Sequence, residues 1–128
     1  MKYYFTKTLN VSFDEAVRLA TEALKHEGFG VISVIDMQEK LKEKMGVDFK
    51  KYKILGACNP SFAYKALQAE DKIGAMLPCN VLIIDQGENK IEVAAVNPVA
   101  SMQAVTNNTL GDVALQVTNK LKSIIDNL

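Results

Sequence analysis

Two short runs hold the only cysteines of the chain, and each sets a thiol beside an asparagine: Cys58-Asn59-Pro60 and Pro78-Cys79-Asn80. A thiolate is a nucleophile, a soft metal ligand and a redox centre, and an asparagine amide both donates and accepts hydrogen bonds. Cys58 falls where a strand gives way to a helix. Unpaired backbone N–H groups and the positive end of the helix dipole meet there, an environment that lowers a thiol pKa and favours bound anions. Cys79 instead opens an apolar strand. Packing competes with chemistry as an explanation, because free cysteine is among the most buried residue types and burial moves a thiol the other way. Asn59 is also explained as a helix cap, and Pro60 as a first helical residue. Cys58, Asn59, Pro60, Cys79 and Asn80 are therefore the ligand-binding candidates, and no catalytic residue is assigned. Met76 and Met102 flank the same region. With Cys58 and Cys79 they form a soft donor set suited to Cu(I), against the commoner use of methionine as packing.

Other site chemistry is missing from the sequence. It has no GxxxxGK[ST], no GxGxxG after a strand, no HExxH and no CxxC. The single histidine, His26, lies between Lys25 and Glu27 on the exposed side of a helix, without the partner that general-base work requires. Cofactor and substrate cannot be named from these residues.

The elements that must position the two cysteines are legible from periodicity. Residues 2–9 alternate as a strand. Ser12, with Glu15 three residues on, predicts a capping box at the start of a helix whose apolar face is Phe13, Val17, Ala20 and Leu24, and Gly28 ends it. Residues 29–35 form a second strand. A short lysine-rich helix over 37–45 follows, with Met37, Leu41 and Met45 at helical spacing and Gly46 as its stop. Residues 52–58 form a third strand. Asn59 and Pro60 start a helix with Phe62, Ala63, Ala66 and Leu67 as its stripe, and 73–78 is an apolar loop that must pack down. Val81-Leu82-Ile83-Ile84, within a strand over 79–85, has the continuous apolar character of a strand covered on both sides. A tight turn at 86–89 returns the chain as a hairpin strand over 90–96. Asn97-Pro98 opens a short helical turn, and Asn107-Asn108-Thr109 caps a last helix with Leu110, Val113, Val117, Leu121, Ile124 and Leu128 on one face. The order β-α-β-α-β-α-β-β-α predicts one α+β domain over 1–128, a two-layer sandwich with a mixed or antiparallel sheet and helices mainly on one face.

Composition excludes several classes. The 128 residues are 48% apolar and 23% charged, with fifteen basic and fifteen acidic side chains. Balanced charge and one arginine, Arg18, argue against nucleic acid as a partner. Lys40, Lys42, Lys44, Lys50, Lys51 and Lys53 read as a solvated surface, partly neutralised by Glu39, Glu43 and Asp48. No run is long enough to span a bilayer, and the first residues lack a signal-type apolar stretch, so the expectation is a cytoplasmic protein with reduced thiols and no membrane partner.

Gly56-Ala57-Cys58-Asn59-Pro60, then Ala63, Ala66, Leu67 and Gly74, then Leu77-Pro78-Cys79-Asn80-Val81 and the later Asn97-Pro98 resemble domain-of-unknown-function family 302 over essentially the whole chain. The resemblance implies a compact α/β fold similar to the β-α-β(4)-α arrangement of TATA-binding-protein-like folds, with two helices inserted, and often a homodimer. It implies no activity, and the likeness of fold carries no DNA-binding inference. The apolar strand 81–84 and loop 73–78 also favour a homodimer. The leading expectation is a small ligand-binding domain with a pocket near the two Cys-Asn motifs, taking a small molecule, an anion or a soft metal. The alternatives are a thiol enzyme or redox module using Cys58, and a structural or interaction protein with both cysteines in its core.

Overall fold

A computed structural model describes residues 2–128. Its elements are β1 (Tyr4–Leu9), α1 (Phe13–His26), β2 (Gly30–Asp36), α2 (Met37–Met45), β3 (Tyr52–Cys58), α3 (Pro60–Ala69), a 3₁₀ helix (Asp71–Met76), β4 (Cys79–Asp85), β5 (Ile91–Val96), α4 (Pro98–Ser101) and α5 (Leu110–Asp126). The five strands make one sheet in the order β1-β5-β4-β3-β2, and all four pairings are antiparallel. The core order is thus β-α-β(4)-α, with α2 and α3 inserted on either side of β3. The helix expected from Met37, Leu41 and Met45 forms but buries none of its residues.

Local chemistry sets most boundaries. Ser12 accepts from the Glu15 amide at 3.1 Å, and Asp36 accepts from the Glu39 amide at 3.0 Å, the usual N-cap arrangement. Glu15 does not complete a reciprocal box; it pairs with Arg18, whose guanidinium holds this carboxyl below its ordinary range. Gly46, in the left-handed region, ends α2. The segment 73–78 differs from the expected loop: Asp71–Met76 is 3₁₀ helix, and Ile73, 1% exposed, anchors it. The last helix lacks the expected side-chain cap at Thr109; Asn107 accepts from the Thr109 amide instead.

Strand alternation divides the sheet. Leu55 and Ala57, Val81 and Ile83, and Val93 and Ala95 share the helix-facing side and join Ala16, Ala20, Leu24, Leu121 and Ile125 in one core. The opposite parity carries a row of cross-strand partners, Ile35–Ile54–Leu82–Ala94. Of the run 81–84, only Val81 and Ile83 therefore join the helix-facing core, while Leu82 stays partly exposed on the other side. A second, smaller core of Ala66, Ile73 and Leu110, with Leu77, Met102 and Val113 against it, ties α3, the 3₁₀ helix and α5 together.

Candidate functional site

The two cores do not meet completely, and a cavity of about 270 Å³ lies between them. Its sheet wall is Ala57, Cys58 and Cys79. α3 contributes Phe62, Ala63 and Ala66, and α5 contributes Leu110, Val113, Ala114 and Val117. Leu77, Pro78, Pro98 and Met102 complete the lining. The most exposed lining residues, Ile32 at 65% and Leu67 at 45%, mark its mouth. Space survives here because Ala63, Ala66 and Ala114 stand where larger side chains would interdigitate.

Both cysteines border this cavity, and both are free. Ala57 is the register partner of Cys79, so Cys58 sits one residue beyond it at the end of β3, across from Gly30. Strict alternation gives Cys58 the parity opposite to Cys79. As the last residue of its strand, next to the start of α3, it nevertheless lines the same space. Cys79 is buried and Cys58 only partly so. Burial pushes the Cys79 thiol up to about 11, and the neighbouring Cys58 adds to the rise. At neutral pH Cys79 is a protonated, polarizable wall and not a nucleophile.

The other sequence candidates separate. Asn59 lines the cavity but has structural partners: its carbonyl oxygen accepts from the Phe62 amide and its amide donates to the Glu27 carbonyl, each at 3.5 Å. Pro60 is exposed outside the lining, as the first residue of α3. Asn80 lies on the opposite side of the sheet from Cys79, exposed, bordering an adjacent cleft with Met76, Cys79 and Met102. Of the soft donors, Cys58, Cys79 and Met102 line the main cavity and Met76 does not. His26 is exposed and away from it. Sequence reasoning assigned the α3 and α5 stripes wholly to packing; the alanines Ala63 and Ala66 in the α3 stripe were the available signal for a cavity.

One close approach braces the wall. A Cβ on Gly56 would lie 2.1 Å from the Ser33 hydroxyl oxygen and 2.8 Å from the Pro78 ring, so only glycine lets Ser33 and Pro78 close over β3 next to Cys58. Asn97 looks like a second Asn59 in sequence but caps nothing. It is buried, donates to the Lys2 carbonyl at 3.2 Å and accepts from the Thr118 hydroxyl at 3.5 Å, which binds the N-terminus to α5.

A family model described as "Domain of unknown function DUF302" matches residues 5–128. The chain belongs to this family. Its fold is that of a family member from Bacillus stearothermophilus, an uncharacterized conserved protein with a crystal structure. The two share 28% identity and superpose with a TM-score of 0.89 over 98% of each chain. An uncharacterized protein of Aquifex aeolicus (strain VF5) is 23% identical over 94 residues, which cover 73% of this chain and 59% of that relative. No function is attached to the family or to either relative, so the site must be read from its own chemistry. Among the described residues, no helix is long and apolar enough to cross a membrane.

Proposed function

We propose that this protein binds one small, largely apolar molecule in the cavity between the sheet, α3 and α5, and does so in the cytoplasm, where its free thiols stay reduced. The observation that carries the reading is the lining itself. Apart from Asn59, the two thiols and the Met102 thioether its side chains are hydrocarbon, and it includes no lysine, arginine or histidine. A cavity of that kind favours hydrophobic transfer and gives an anion nothing to pair with. The same lining argues against thiol catalysis, because it offers no group able to take the proton of Cys58. Nucleic acid is not the expected ligand: Lys40 pairs with Glu43 and Lys42 with Asp48, which dilutes the lysine-rich stretch.

The test uses N-phenyl-1-naphthylamine, an uncharged fluorophore. Saturable binding at one per chain is expected, together with slower alkylation of Cys58 in the bound state. Ala63→Leu and Ala114→Leu, which fill the space from two sides, should each weaken binding while leaving the far-UV spectrum unchanged. Absence of binding, or binding indifferent to both substitutions, would refute the proposal. One observation favours a second reading: Cys58, Cys79 and Met102 share the cavity, and together they suit a soft cation such as Cu(I). Copper retained through dialysis by the native protein, and lost in Cys58→Ser and Cys79→Ser, would support that version.

A further inference from the structure

We infer, on the basis of the apolar-ligand reading above, that the ligand is an uncharged amphiphile, an alcohol or carboxamide on a hydrocarbon body, with its head group in the cleft beside Asn80. The cavity of about 270 Å³ and that cleft, of about 240 Å³, have five lining residues in common: Leu77, Pro78, Cys79, Pro98 and Met102. They are two compartments on either side of one partition, at the end of the sheet where β4 begins and β5 ends. Small-molecule sites usually enclose roughly 300–1,000 Å³, so each compartment alone falls short and the two together do not.

The compartments differ in chemistry. The cleft adds the side chains of Asn80 and Ser101 to the apolar partition. Asn59 and Asn97 are tied to other residues, whereas the exposed Asn80 amide has no hydrogen-bond partner among the described residues. The Ser101 hydroxyl donates to the Pro98 carbonyl at 3.4 Å, which leaves its oxygen free to accept. Pro78 has no N–H, so the Ala75 carbonyl, near the end of the 3₁₀ helix, lacks the donor three residues on. A head group that donates a hydrogen bond answers these acceptors. No charged side chain lines either compartment, so a carboxylate, phosphate or ammonium head would find no counter-charge.

The partition decides how one molecule reaches both sides. Cys79 and Pro98 are buried, but Leu77 and Met102 are only partly so. Met102 is unbranched and has three rotatable bonds, so its side chain can swing aside without moving the backbone. Its thioether then lies where the hydrocarbon body gives way to the head.

Displacement of N-phenyl-1-naphthylamine by compounds of equal size tests this. We expect n-octanol to bind about tenfold more tightly than heptyl methyl ether, which has the same atoms but cannot donate a hydrogen bond. Octanoate and octylammonium should also bind more weakly than n-octanol. Asn80→Ala and Ser101→Ala should each cut the preference for the alcohol while leaving the ether and the fluorophore unchanged; the unchanged fluorophore also shows that both variants fold. Fluorophore binding with no preference for n-octanol, a preference that survives both substitutions, or octanoate binding as tightly as n-octanol would overturn the placement of the head while the apolar cavity stands. Absence of fluorophore binding would instead remove the cavity reading, and the amphiphile with it.

Discussion

Cys79 should leave a signature in the alkaline stability of the protein. Its thiol is pushed from the ordinary 9.0 to about 11, first by burial and then by the neighbouring Cys58. In the unfolded chain the same thiol is solvated and titrates in the ordinary range. Below pH 9 both states hold the proton, and the favourable burial of a neutral thiol is fully present. Between pH 9 and 11 the unfolded chain gives up its proton first, so unfolding is increasingly favoured, until the folded thiol also titrates. A gap of two pH units corresponds to about 3 kcal/mol, lost across that window. The perturbation is Cys79→Ala. Removing the sulfur costs about 1 kcal/mol of packing at neutral pH, but it also deletes this titration. Denaturant midpoints across a pH series, taken as native minus variant, isolate the effect from tyrosines and lysines that titrate nearby. The native protein should lose its advantage steeply from pH 9 to 11, and Cys58→Ser should narrow the window slightly. Parallel alkaline limbs in the native and Cys79→Ala proteins, or a Cys79 thiolate formed below pH 9 in the folded state, would refute the reasoning.

Two further outcomes follow from the walls of the cavity. Gly56→Ala should destabilise by about 1–3 kcal/mol, measured as a lowered denaturant midpoint, because its Cβ meets the Ser33 oxygen and the Pro78 ring. Adding Ser33→Ala should recover part of the loss, and a midpoint unchanged by Gly56→Ala alone would contradict the close approach. Asn59→Ala should cost about 1 kcal/mol by uncapping α3, and Asn59→Asp should retain most of the stability; equal losses in the two would show that the cap is not what Asn59 contributes.

The sequence by itself determined the elements and their order. Periodicity separated strands from helices, and Ser12, Asn59-Pro60 and Gly46 marked boundaries that the backbone keeps, because those signals act within a few residues. It also contained, unused, the parity that puts Asn80 on the side of the sheet away from Cys79, since consecutive strand residues face opposite ways. Tertiary structure decided the rest. The sheet order that places β1 beside β5 joins residues about ninety positions apart, and no local pattern encodes that pairing. The roles of the two Asn-Pro pairs diverge for the same reason: Asn59 has a free helix end to cap, whereas Asn97 meets Lys2 and Thr118 from distant segments and is used as a tie. Ile73 turns an apparent loop into a buried 3₁₀ anchor only because Ala66 and Leu110 arrive beside it. The cavity is the clearest case. Each alanine of α3 and α5 reads alone as ordinary packing, and only the angle and spacing at which the two helices meet the ends of β3 and β4 leave their missing side-chain volume as one space beside two thiols.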